Sequence, residues 1–439
     1  MTDTPPLDRS LEASPPPRHH DVTGMGAGVG GGGATGPLPD LASLRAAAEE
    51  GLPAILAVRR EIHRHPEIGL DLPRTQAVVV RELERLGLEP RLGRDLTSVT
   101  ALLEGGRPGP TIVLRADMDG LPLHEDSGLD FASEDDGAMH ACGHDAHVAM
   151  LLGAAALLME RRDRLAGSVL FMFQPGEEGF HGARSMLEEG LLELPDDRPA
   201  TAAFAIHIGT RYETGSVNYR AGAIYASSDT LRITVRGRGG HASAPHSALD
   251  PITVAAEIVL GLQTMTSRRV DVFDPAVVTI AHMEAGTTTN IIPETAHLEG
   301  TIRAVSDATR ELVHAEVRRL VGGICSAHGA AGEVEIVKGY PVTLNDPGFT
   351  ALVREVALAI ADPAAVHELE APIMGAEDFS YVLQRLPGSM AFLGARPPEE
   401  DPATAPMNHS NRVVFHEPAL AVGAALHAGV ALRYLSAGD

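Results

Sequence analysis

The hydrophobic rhythm of this chain changes twice, and that change limits its fold more than any single motif does. From about Leu41, helical stretches (Ala47 to Leu56, Thr75 to Leu86, Val148 to Arg161) alternate with short, continuous apolar runs (Thr111 to Leu114, Ser168 to Phe173, Ala202 to Ile208). Continuous apolar runs between helices read as strands covered on both faces, which predicts an α/β fold with a mostly parallel sheet flanked by helices. Near Ile224 the apolar residues begin to alternate with polar ones. Thr230 to Val235, Val277 to Met283, His297 to Val305 and Val334 to Val337 read as strands, and Pro251 to Met265 and Ala308 to Ala327 as helices. The order β-α-β-β-α-β predicts a small two-layer α+β domain inserted into the larger one. The first rhythm then resumes, with a helix from Phe349 to Ile360, a strand from Met390 to Leu393 and a helix from Ala419 to Tyr434. We therefore expect residues 41–223 and 339–439 to form one domain and 224–338 the insertion.

Residues 1–40 are rich in Pro and Gly, including Gly30 to Gly33. They cannot bury enough apolar surface to offset the entropy of ordering, and read as a disordered leader. The start has no apolar segment of signal-peptide length, and the longest apolar run, Val148 to Met159, is too short to cross a bilayer. Lys plus Arg total 35 against 59 Asp plus Glu, a formal net charge of −24. Such a balance repels phosphate backbones and argues against a nucleic-acid partner. Cys142 and Cys325 are too few for a disulfide framework. A reducing cytoplasm is the expected compartment, and a metal or catalytic role is open to one of them.

Potential metal ligands recur where predicted strands end. Thr111 to Leu114 runs into Asp117 and Asp119, Ser168 to Phe173 into Glu177 and Glu178, and the strand around Phe204 into His207. In open α/β sheets, ligands bind beyond the carboxyl ends of the strands, so these residues are expected to share one site. Met139 to His147 adds Cys142 and His144. Residues two apart do not face together on a helix, so this pair can meet one centre only in a non-helical entry turn, which Gly143 permits. Thiolate with imidazole suits zinc or another late first-row ion, and carboxylates extend the choice to manganese. Of two adjacent glutamates, one can bind metal while the other takes a proton from water, although such pairs are often only solvated charge. Asp117 and Asp119 are expected to orient imidazoles from behind. His409, in the loop Met407 to Asn411, is placed to return to the same crevice.

Several segments together resemble the aminoacylase and carboxypeptidase family of di-metal hydrolases. They are Arg60 to Glu67 (REIHRHPE), Leu114 to Pro122 (LRADMDGLP), Met139 to His147 (MHACGHDAH), Phe173 to Gly179 (FQPGEEG), Gly237 to His246 (GRGGHASAPH), Gly286 to Pro293 (GTTTNIIP), Gly300 to Arg303 (GTIR), Gly375 to Ser380 (GAEDFS) and the His409 loop. The resemblance runs from about residue 45 to the end. It is narrowest to the amidohydrolase branch, which acts on N-acyl amino acids, hippurate and indoleacetyl amino acids.

The resemblance implies a di-zinc aminopeptidase-like catalytic domain with a ferredoxin-like insertion that serves as a lid and dimerisation domain. Two divalent ions (manganese, zinc, cobalt or nickel) would be held by Cys142, His144, Glu178, His207 and His409, with Cys142 shared between them. Glu177 would be the general base toward a metal-activated water, and His241 would stabilise the oxyanion, often across a dimer interface. Asn290 and Arg303 would hold the substrate carboxylate. The wider family has a His-x-Asp pair where this chain reads Asp117-Met118-Asp119, which leaves the role of Asp117 open. His63, His65 and His246 are expected to be structural. Two other readings stand beside this one: a metal-independent hydrolase with Cys142 as nucleophile, and a protein that binds a small carboxylate without cutting it.

Overall fold

Helix and strand boundaries follow from short-range signals. A computed structural model describes residues 41–194 and 199–436, so the leader expected over 1–40 lies outside the described residues. Helices Pro251–Arg269 and Pro347–Ile360 each start on an Asp-Pro pair, and the carboxylates of Asp250 and Asp346 accept the backbone N–H of Ile252 and Phe349. Ser306 caps Asp307–His328 in the same way, and Gly329 ends that helix at a φ of 73°. These are the residue types that satisfy orphan groups at helix ends.

The larger sheet has eight strands, in spatial order Pro90–Leu92, Val99–Glu104, Ala166–Gln174, Arg107–Asp117, Ala200–Glu213, Gly388–Arg396, Val217–Tyr219 and Val366–Glu368. Its four middle strands, from Ala166–Gln174 to Gly388–Arg396, are all parallel. Val99–Glu104 and Val217–Tyr219 join them antiparallel. Three of the four flanking strands are only three residues long, too short for a periodic signal, and none was expected from the sequence.

Helices Leu41–Arg64, His144–Met159, Pro347–Ile360 and Ala419–Leu435 cover one face of this sheet and share its main hydrophobic core. In Ala419–Leu435 every residue except Arg433 and Tyr434 is buried, as expected of a helix that is apolar all round. Each fully buried Leu, Ile or Val in such a core is worth about 1.5–3 kcal/mol. The other face carries a smaller core that includes Phe379, Tyr225 and Phe392.

The second sheet has four antiparallel strands in the order Ala276–Ala285, Thr295–Ala304, Asp229–Arg236, Ala331–Lys338. Along the chain these are strands two, three, one and four of the expected β-α-β-β-α-β pattern. Burial alternates along Asp229–Arg236, so one face packs on Pro251–Arg269 and Asp307–His328 in a separate core with Leu231, Ile233, Leu298, Ile258 and Val317. Among the described residues, no helix is long and apolar enough to cross a membrane.

Candidate metal centre

Parallel pairing sets the expected ligands at one level. Asp117 is in register with Gln174, just before the Glu177 turn, and Arg115 with Ala205, two residues before His207. The carboxyl ends of Arg107–Asp117 and Ala166–Gln174 therefore meet the middle of Ala200–Glu213 at His207, where the sequence had suggested a strand end. Gly143 supplies the fourth contribution. Its φ is 89°, and a Cβ there would stand 2.4 Å from Cγ2 of Ile208, so both backbone conformation and space exclude other residues. The left-handed turn leaves Cys142 outside the helix and His144 as its first residue, a start four residues earlier than periodicity suggested.

Cys142 Sγ lies 3.4 Å from His207 Nε2, and the other ring nitrogen of His207 faces the carbonyl of Ile208 at 2.8 Å. His409 Nε2 lies 3.1 Å from Glu178 Oε1. Its neighbour Asn408 anchors the loop by donating to the carbonyls of Cys142 and Ile208, at 3.1 and 3.0 Å. Among the described residues, donor atoms within 4.8 Å of one another form the groups Cys142–His144–His207 and Cys142–Glu178–His409, and three further groups, His144–Glu177–Glu178, Asp117–His144–His147 and Glu177–Glu377–Asp378, adjoin them. The first two groups have only Cys142 in common. His144 is buried, and neither of its ring nitrogens makes a directed hydrogen bond, although oxygens of Asp117 and Asp119 stand 3.3 and 3.4 Å away. Unbonded nitrogens of a buried imidazole, His144, beside a thiol and a carboxylate fit a cation site.

The model of peptidase family M20/M25/M40 matches residues 113–433. The chain belongs to that family. It is 40% identical over 384 residues, 87% of this chain and 95% of the relative, to thermostable carboxypeptidase 2 of Saccharolobus solfataricus. It is 36% identical to IAA-amino acid hydrolase ILR1-like 2 of Arabidopsis thaliana, covering 87% of this chain and 85% of that one. A solved Bacillus subtilis structure, described as a dinuclear metal binding peptidase from the M20 family, matches 88% of this chain and 99% of its own at 33% identity and a TM-score of 0.76. The protein is thus an M20-type metallopeptidase or amidohydrolase, a hydrolase of a metal-binding family.

The M20 frame gives the surrounding electrostatics a use. Burial, then the charges of Glu377, Glu178 and Asp378, holds the Glu177 carboxyl well above the usual carboxylate range. One residue on, burial also works against the Glu178 carboxylate, but the bond from His409 and the charge of His144 outweigh it and bring Glu178 below its ordinary value. Two adjacent carboxyls pushed apart in this way are suited to different tasks. Bonds with Cys142 and Glu178 lift His409 to about 10, whereas burial and the nearby His147 bring His207 to about 3, leaving it a neutral imidazole.

Asp119 accepts the backbone N–H groups of Glu177 and Glu178, each at 3.0 Å, and so holds the turn that carries both. Asp117 contacts His147 and His144 and pairs with Arg115 at 2.8 Å. His147, Arg115, Glu377 and Asp378 were given no role in the sequence reading. The buried Arg115 guanidinium donates to Gln174 at 2.9 Å, to Glu377 at 2.9 Å and to Asp378 at 3.2 Å. An arginine inside an apolar strand was the available signal.

A cavity of about 430 Å³ opens beside the centre, lined by Cys142, Glu177, Glu178, His207 and His409, and also by Arg303. His241 and Asn290 line a different, shallow cavity with Gly239, Gly240 and Ile291 to Glu294. They sit side by side, with the N–H of Ala242 on the carbonyl of Asn290 at 3.0 Å. Within one chain, Asn290 is therefore apart from Arg303. His63 is buried against Asp145 at 2.8 Å.

Proposed function

We propose that this M20 hydrolase cuts the amide bond of N-acyl amino acids or related amino acid conjugates, with Glu177 as general base. The reading rests on one arrangement: two donor groups that share Cys142, and a buried Glu177 carboxyl that belongs to neither yet lies beside His144 and Glu178. Cys142, His144, Glu178, His207 and His409 would hold two divalent ions, with manganese, zinc, cobalt and nickel all compatible with such mixed donors. Bound there, the ions supply Lewis-acid polarisation and make water acidic enough to ionise near neutrality. Glu177 takes a proton from the attacking water as its oxygen bonds to the acyl carbon. The same carboxyl then passes the proton to the amine nitrogen as the C–N bond breaks. A carboxylic acid and a free amino acid leave.

Arg303 lines the cavity, and its planar fork suits the carboxylate of an amino acid. The names of the relatives, a carboxypeptidase and an IAA-amino acid hydrolase, support an amino acid on the amine side. His241 and Asn290 would act from a second copy of the chain, which fits their position on an exposed patch of residues 224–338. That segment would be the lid and dimerisation domain, with 41–223 and 339–439 as the catalytic domain. Both cysteines are free thiols, which supports a cytoplasmic setting.

The cysteine-nucleophile reading is weaker, because it leaves Glu178, His409 and the unbonded nitrogens of His144 around the sulfur without a use. Binding without hydrolysis leaves Glu177, a carboxyl beside Glu178 that belongs to neither Cys142 group, without a use. The test is Glu177→Gln, assayed on N-acetyl, N-benzoyl and indoleacetyl amino acids with each metal. We expect the rate to fall by about 10²-fold or more while bound metal is retained. A variant with near wild-type turnover removes the proposal.

A further inference from the structure

The turn that carries Glu177 is gripped from two directions. On one side stands Asp119, two residues beyond the middle strand Arg107–Asp117 of the large sheet, which accepts the N–H groups of Glu177 and Glu178. On the other stands Tyr340. Its hydroxyl donates to the carbonyl of Glu177 and accepts the N–H of Gly179 at 2.8 Å. No motif in the sequence pointed to this tyrosine, and the chemistry described above does not use it.

Tyr340 follows the last strand of the four-stranded sheet, where the chain returns to the larger one. Its backbone is paired there with the outgoing segment: the N–H of Ser228 donates to the Tyr340 carbonyl at 2.9 Å, and the N–H of Tyr340 to Ser228 Oγ at 3.2 Å. One residue away, Asp229 Oδ1 accepts the N–H of Gly339 at 3.1 Å. The same carboxylate is held by Arg310 and by His314 from the helix Asp307–His328, with His314 at 2.7 Å. The two chain crossings and a helix of the small domain are thus tied together directly behind Tyr340. The ring is buried and meets His181 edge-on at 4.8 Å, so the hydroxyl has little freedom to leave the turn.

We propose that Tyr340 is a positioning residue that ties the aim of the Glu177 carboxyl to the seat of the four-stranded sheet. A shift of that sheet moves the crossing, the crossing carries Tyr340, and the tyrosine hydroxyl pulls on the peptide that bears the base. The inference rests on Glu177 being the general base.

Tyr340→Phe keeps the ring and its packing and removes only the hydroxyl. Because about 1 Å of misplacement at a reacting group can cost about 10²-fold, kcat should fall about tenfold to a hundredfold. KM should stay within about twofold and metal content should be unchanged, a split that a general loss of folding would not produce. Tyr434→Phe is the control, since that hydroxyl bonds Thr201 at 2.9 Å, at the start of a middle strand and away from both the turn and the crossing; its kcat should equal wild type. Should Tyr340→Phe be too unstable to assay, Ser228→Ala carries the test by loosening the crossing, with a lower kcat at constant KM expected. An unchanged kcat in the assayed variant overturns the inference. A raised KM at normal kcat, which would make Tyr340 a substrate contact, also overturns it, as does loss of metal, which would make it a support for Glu178 alone. If Glu177→Gln is inactive and Tyr340→Phe is normal, only this inference fails. If Glu177→Gln retains full activity, the assignment of the base fails first.

Discussion

Cys142 and His207 meet at 3.4 Å between Sγ and Nε2, although one comes from a left-handed turn at a helix entrance and the other from within the central strand Ala200–Glu213. Neither element alone would make a cation site. Their meeting depends on the packing of the His144–Met159 helix against the sheet, and on Gly143 allowing the turn to press onto Ile208.

Because Cys142 belongs to both donor groups, Cys142→Ala should lose metal more completely than His207→Ala or His409→Ala, each of which removes a donor from one group. Losing a direct ligand should exceed the roughly 10–100-fold affinity loss seen when only a supporting contact is removed. Metal analysis of the three variants after dialysis checks the ranking. A Cys142→Ala protein with wild-type metal content would show that the two groups do not share this sulfur.

Gly143→Ala should destabilise the fold and the centre together. A non-glycine residue at a φ of 89° with its Cβ 2.4 Å from Ile208 Cγ2 carries strain of about 1–3 kcal/mol. The expected result is a lower midpoint in denaturant and weaker metal retention. By contrast, Gly87→Ala has an open surrounding with φ of 78°, so it should disturb stability alone.

The crossing behind Tyr340 should show in acid. Burial raises the Asp229 carboxyl, but bonds from His314 and Arg310 outweigh it and bring the group from 3.8 to about 2. A folded-state value below the unfolded one contributes stability in full above the unfolded value, and the contribution is lost as pH falls through the folded one. The stability gap between wild type and Asp229→Asn should therefore be constant above about pH 4 and close progressively toward about pH 2. Urea unfolding across that range measures it. A gap that does not change with pH would mean that the carboxylate charge is not what holds the crossing.

Much of the site could be read along the chain. Asp117 ends and Glu177 follows a strand of continuous apolar residues, and parallel strands bring such ends to one edge; His207, expected at a strand end, lies inside Ala200–Glu213 at the level of those ends. What could not be read was the division of labour among chemically equal residues. His144 and His147 lie three apart in the same segment, yet His147 has one ring nitrogen on Asp117 and the other accepting the N–H of Ile208 at 2.8 Å. That leaves it no free donor. Nothing local distinguishes it from His144, whose nitrogens remain unbonded.

The same limit applies to Arg115 and Glu377, partners separated by 262 residues, and to Tyr340, which no motif singled out. Helix caps, strand alternation and the order of elements were determined by the sequence itself, because each is governed by neighbours within a few residues. Tertiary structure alone decided which donors face one another, which glutamate is buried among like charges, and that His241 lies away from Arg303's cavity within one chain. Hydrogen bonding, burial and charge act through space, and those distances exist only once the sheets and helices have packed.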